Sequence, residues 1–301
     1  MSNRRKKIMK TVLLVMLLLV LFSVCVAYVY STLPANMDQG LTRRDRLLGW
    51  DWRHVFQPGT LAILRGESPY TIQYFYSPPW VIIPLIPLAF LPTEFGIAFL
   101  YVLNFFCYLI VAAKLRMNPI AFVVFLLFSG MIPNSANANI EGIIALGFIL
   151  PPQLGLFLLL LKPQYGIGVA VFWLVETWRE QGAKQAVLVF LPVSLAFLLS
   201  FTLYGFWPLR ASTDVIGQWW NASIFPRGVP IGLLLLALAI YKREMRFAIA
   251  ASPFFSPYLT GHTWSVVWFG LLLFVPNKIP DRILDGIRKL SALSKYARPP
   301  A

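Results

Sequence analysis

Apolar and polar positions along this chain fall into long blocks, not into the short periods of a water-soluble fold. Apolar blocks stand at about 11–33, 78–91, 94–113, 119–133, 140–151, 153–177, 186–206, 229–241, 246–259 and 263–276. A hydrocarbon core about 30 Å thick takes roughly 20 helical residues. The longer blocks therefore predict membrane-crossing helices. The shorter ones predict tilted, broken or re-entrant helices, whose backbone is tolerated only where protein or a cavity covers it. The fold class that follows is all-α and integral to a membrane, a multi-spanning bundle of about ten segments. One domain covers 1–276, and a basic cytoplasmic tail covers 277–301.

Composition agrees with the blocks. The chain is 58% hydrophobic and only 13% charged, with a mean hydropathy of +0.69, which excludes an ordinary soluble domain. The basic head MSNRRKKIMK precedes an apolar stretch longer than the roughly 7–15 residues of a signal-peptide core, so the stretch reads as a retained anchor. Val24 stands before Cys25 where a lipoprotein site wants a small residue. Cys25 and Cys107 both fall in apolar blocks and point to neither a disulfide nor a metal site. The net charge of +14 has no soluble module to sit on, so no nucleic-acid partner is expected.

Lys and Arg gather on the cytoplasmic side of a membrane protein. Ten crossings put both termini inside, with Arg4 to Lys7, Lys10, Arg179, Lys184, Lys242, Arg243, Arg246 and the tail from Lys278. The loops 34–77 and 207–228 and the turn at 260–263 then lie outside, in a plasma membrane. Lys114 and Arg116 also land outside, against the rule. In the tail, Ile283, Ile287, Leu290 and Leu293 recur at helical spacing opposite basic residues, which suits a helix on an anionic leaflet; a frayed basic tail is the equal alternative.

The polar loop 34–77 concentrates the candidate chemistry, with three aspartates, one glutamate, one histidine and five arginines. From Asp51 to Pro79 it resembles the first-loop signature of glycosyltransferase family 87. The matching elements are Asp51-Trp52, then Gly66-Glu67-Ser68-Pro69-Tyr70, then Tyr76-Ser77-Pro78-Pro79-Trp80. Further matches are PNSANANIEG, Lys162-Pro163, and the Ser-Pro pairs of ASPFFSPYLTGHTW, although the family's Gly-Gln-x-Asn is missing before the fifth segment. That departure leaves roles for Asn137, Asn139 and Glu141 in doubt. The resemblance implies a glycosyltransferase-C fold with a helical first outer loop. It also implies inverting transfer of a hexose, mannose by analogy, from a polyprenyl-phosphate donor to a lipid or glycan acceptor, with Asp51 as base and Tyr70 and Tyr76 in the substrate site.

Such a transfer needs a base for the acceptor hydroxyl and a cation for the departing phosphate. Asp51 can instead cap the loop helix, and Asp38 and Asp45 read first as partners of Arg43, Arg44 and Arg46. Trp50 and Trp52 offer an apolar wall beside Asp51. Lys162, deep in an apolar block, is costly unless paired, so a functional site is its default reading; snorkelling from a helix end is the competing one. Gln164 lies beside it, and Arg53, Arg65, Arg210 and Arg227 are outer-face alternatives. His262 fits a phosphate-orienting or proton-shuttling role as well as it fits an interfacial belt, while His54 reads as solvent-facing. Trp207, Trp219 and Trp220 read first as belt anchors. No metal-ligand spacing is visible, so the expectation is transfer without cofactor or metal. The competing classes are a transporter or lipid flippase and a non-catalytic membrane scaffold.

Overall fold

The computed structural model describes residues 3–33, 48–215 and 217–277. Asp38, Asp45, Arg43, Arg44, Arg46, the Arg210 side chain and the expected tail helix lie outside the described residues. Everything described is helix or connecting turn, apart from one isolated bridge between Asn221 and Thr260.

Among the described residues, three helices are long and apolar enough to cross a membrane. They are α1 (Asn3–Thr32), α4 (Thr93–Lys114) and α9 (Pro163–Tyr204). The others are shorter: α2 (Gln57–Leu64), α3 (Ile86–Ala89), α5 (Pro119–Phe128), α6 (Met131–Ala136), α7 (Glu141–Ala145), α8 (Pro152–Leu159), α10 (Trp207–Asp214), α11 (Val229–Lys242), α12 (Met245–Ala251) and α13 (Ser265–Leu272). Several apolar blocks are therefore built from short or broken helices, as their lengths predict. The block 78–91 resolves into a 3-10 stretch, Pro79–Leu85, and the four residues of α3. Pro79, Pro84 and Pro87 each remove a backbone donor there, which keeps a long helix from forming.

The block 140–151 breaks as well. α7 and the 3-10 stretch Leu146–Ile149 run one way and α8 returns, with Gly147 and Gly155 letting the two arms meet. A Cβ on Gly147 would fall within 2.8 Å of the Gly155 carbonyl oxygen. The hairpin leans on α4 through Asn104, whose Nδ2 donates to the Asn139 carbonyl at 2.6 Å and whose Oδ1 accepts from Gly142 N–H at 2.7 Å. One buried amide thus satisfies two backbone groups at the start of a helix too short to satisfy its own. α9 covers two sequence blocks in 42 residues and turns at Gly182, where φ 82° and ψ 171° interrupt the helix as only glycine does readily.

Polar contacts sort the helix ends. Asn277 donates to the Arg116 carbonyl, Asn118 to the Pro276 carbonyl, and Arg246 to the Leu273 carbonyl, while Arg243 pairs with Glu176 and Glu180. The basic positions 116, 243 and 246 therefore share one end of the bundle. α1 runs antiparallel to α4, with Phe22 against Phe99 and Phe106 and Tyr30 against Phe95. The Asp51 segment sits at the start of α4, because a Cβ on Gly96 would strike the buried Trp52 ring. The candidate site thus lies at the end away from the basic cluster.

Candidate functional site

The loop segment that carries Asp51 is held by its backbone. Gly49 and Asp51 donate their N–H groups to the carbonyls of Ala136 and Asn137, tying the loop to the end of α6. The chain then widens into a π-helical turn, Trp52–Phe56, before α2; such turns cost hydrogen-bond geometry and recur at functional sites. Asp51 makes no capping bond. Its carboxylate accepts from Asn139 Nδ2 at 2.5 Å instead.

Lys162 is placed by a helix break. It adopts an extended backbone (φ −131°, ψ 101°) between α8 and α9, where Pro163 starts the new helix. Only 7% of the residue is exposed, so it does not snorkel. Its Nζ donates to Asn139 Oδ1 at 2.8 Å and to Glu141 Oε1 at 3.1 Å. Asn139 is oriented by this pairing, its amide nitrogen facing the Asp51 carboxylate and its oxygen facing the ammonium. Glu141, with no exposed surface, also accepts from Tyr165 O–H at 2.6 Å and from Thr263 O–H at 2.9 Å. The same carboxylate lies 3.9 Å from His262 Nε2.

Above this floor opens a cavity of about 770 Å³, within the range of small-molecule sites. Asp51, Asn139, Lys162, Gln164 and His262 all line it. One wall is aromatic, with Trp220 set edge-on to Tyr74 and Tyr258, and Tyr76 edge-on to Tyr258. The other side is apolar, with Phe56, Leu161, Ile167 and Phe197. Gln164 is 2% exposed, and its side-chain amide bonds to no described residue. Lys162 uses two of its three ammonium donors on described residues. A buried amide and an N–H left over in a cavity are groups a ligand can satisfy.

Burial raises the Asp51 pKa above the usual carboxylate range, while Lys162, His262 and the Asn139 bond pull it back down. Burial also lowers His262 below the usual imidazole range; Glu141 opposes that shift and Lys162 adds to it. His262 is therefore neutral at pH 7 and Asp51 is a stronger base than an exposed aspartate.

Asp51, Lys162, Gln164, Tyr76 and His262 thus come together from four distant stretches. Arg53 and Tyr70 do not line the cavity. Arg53 follows Asp51 by two residues, so the helical turn carries its side chain away from the carboxylate. Tyr70 stands behind the wall, its ring stacked on Trp207 at 5.5 Å and its hydroxyl on the Ser77 carbonyl. Arg65 pairs with Glu67 on the surface, and Arg227 is exposed. Trp207, Trp219 and Trp220 all line the cavity, Trp219 while 93% exposed, and Trp52 is core. Asn139 and Glu141, in doubt from the motif alone, are central to the network. A signal for Glu141 existed: a lone acid inside IEGIIALGF meets the same default as Lys162, and two such charges predict each other as partners. No group of three or more His, Cys, Asp or Glu able to hold a metal ion occurs among the described residues. No family model, no curated protein and no solved structure matches the chain.

Proposed function

We propose that the protein is a membrane glycosyltransferase of the glycosyltransferase-C type, related to family 87, that moves a hexose from a polyprenyl phosphate to an acceptor hydroxyl. The observation that carries this reading is a buried carboxylate and a buried ammonium joined through one amide, both facing a cavity with an aromatic wall and an apolar side. The acceptor oxygen attacks the anomeric carbon and its proton passes to Asp51. The bond from that carbon to the phosphate oxygen breaks, and the lipid phosphate leaves toward Lys162 with both bonding electrons. The anomeric configuration inverts in this single displacement. Aromatic faces suit a sugar ring, and the wall of Phe56, Ile167 and Phe197 suits the first isoprene units. Purified protein supplied with a polyprenyl-phosphate hexose and a lipid acceptor is expected to release polyprenyl phosphate. Release no faster than in protein-free micelles, across mannose, glucose and galactose donors, would sink the proposal.

The broken hairpin over 141–161 with charges at its mouth also suits a transporter. Sealed vesicles separate the two readings: movement of intact donor across the bilayer without release of lipid phosphate favours transport.

For topology we propose eight crossings. The block 78–91 and the hairpin over 140–161 return to the face they left, and the kink at Gly182 separates two crossings. Both termini are then cytoplasmic, the cavity opens outside, and Lys114 and Arg116 join the other basic ends as the positive-inside rule expects. Ten crossings would instead leave Lys114 outside. In a cysteine-free background, Glu67→Cys should react with an impermeant thiol reagent on intact cells and Lys114→Cys should not. Both positions are exposed in the fold. Labelling of Lys114→Cys from outside would restore ten crossings.

A further inference from the structure

Hydrogen bonds around the buried carboxylate determine the state of His262. Glu141 is ionised in its pair with Lys162, so it can only accept, and the Thr263 hydroxyl must donate to it. A hydroxyl has one proton to give. The contact between Thr263 Oγ1 and Thr260 Oγ1, at 2.8 Å, therefore has Thr260 as donor. Thr260 is then spent in turn, and its contact with His262 Nε2, at 2.9 Å, requires Nε2 to carry the hydrogen. The relay runs in one direction, from imidazole through two hydroxyls to the carboxylate.

We infer that His262 presents a bare Nδ1 to the cavity as the acceptor for a hydroxyl of the bound substrate, and that Thr260, Thr263 and Glu141 are positioning residues that hold it in the Nε2–H tautomer. Nδ1 bonds to no described residue and is not sealed in the interior, and His262 lines the cavity. The charged groups facing the ring are Glu141, Asp51 and Lys162. Lys162 and burial keep the ring neutral, and a neutral acceptor repels phosphate. The phosphate then falls to Lys162, while His262 reads a sugar or acceptor hydroxyl. The chemical class selected at this point is a polyol, because only a ligand O–H complements a lone pair. The identity of that polyol rests on the glycosyl-transfer reading; the tautomer does not.

The chain has only two histidines, which makes the test direct. In His54→Gln protein labelled with ¹⁵N-histidine, one imidazole remains. At neutral pH its Nδ1 should resonate as an unprotonated, pyridine-type nitrogen and its Nε2 as a protonated, pyrrole-type nitrogen. Thr263→Val should free the Thr260 proton for Nε2 and shift the population toward Nδ1–H, whereas Thr263→Ser should keep the wild-type pattern. A merely structural threonine would not move the tautomer and be rescued by serine. Saturation with polyprenyl-phosphate mannose should shift Nδ1 upfield without protonating it. It should also bind about tenfold more weakly to His262→Phe, the upper scale for one neutral hydrogen bond. A doubly protonated ring or a dominant Nδ1–H form in the starting protein overturns the inference. So does an unmoved Nδ1 in the saturated complex. Absence of turnover with the tautomer as stated counts against glycosyl transfer and not against the relay.

Discussion

Asp51→Asn is expected to cut turnover by about 10²–10⁴-fold, the usual scale for a general base. Donor affinity should change much less, because a base acts on a proton that moves only in the transition state. The substitution suits the site, since an asparagine carbonyl can still accept from Asn139 Nδ2, the bond that Asp51 accepts now. Capping cannot explain a loss, as Asp51 makes no capping bond. Asp38→Asn and Asp45→Asn should each retain most activity and serve as controls. Full activity in all three would end the carboxylate mechanism, and an inactive Asp45→Asn beside an active Asp51→Asn would move the base.

The pH profile tests the same residue independently. The proposed transfer requires the base form of Asp51, and burial raises its pKa. The acid limb of kcat/KM should therefore lie above the range of an ordinary carboxylate, with activity lost as pH falls through it. The Asn139 bond lowers that pKa, so Asn139→Ala should move the limb upward. Movement downward would show that Asn139 does not stabilise the ionised form.

Lys162→Met should have the largest effect on stability as well as on donor use. Glu141 has no exposed surface, and removing one partner of a buried pair strands the other at a cost of about 3–5 kcal/mol. Lys162→Met with Glu141→Gln removes both charges and should recover most of that loss in a thermal unfolding assay in detergent. Turnover should remain low in the double variant, because the cation facing the cavity is still missing. Recovery of turnover along with stability would make Lys162 a structural partner only. An unfolding temperature equally low in both variants would mean that the amide and hydroxyl contacts, not the charges, hold the hairpin to α9.

Part of the fold is legible in the sequence, and the reason is that block hydropathy is local. The apolar blocks are local features, and α4 falls at Thr93–Lys114 where the block 94–113 predicts it. The segment after Asp51 contains a helix, α2, where the resemblance of the loop implies one. Charged residues isolated in apolar sequence are also local signals, and they single out Lys162 before any fold is known. Hydropathy cannot register a change of direction. The stretch 140–161 has the composition of a membrane helix, yet glycines at 147 and 155 let it fold back, and one buried asparagine on α4 holds its first turn. Partnership is likewise a property of the packed chain. Lys162 meets Glu141 across that hairpin, Asn139 meets Asp51 across 88 positions, and Thr263 meets Glu141 across 122. Arg53 and Tyr70 carry the residue types that a phosphate and a sugar want, but a helical turn and a stacking contact with Trp207 keep them out of the cavity. Residue type and burial tendency are written in the chain itself, so the sequence alone determined the apolar helical class and most of the polar groups that line the cavity. Which of those groups share a proton or a charge depends on distances of about 3 Å, and such distances exist only after helices from remote positions have packed.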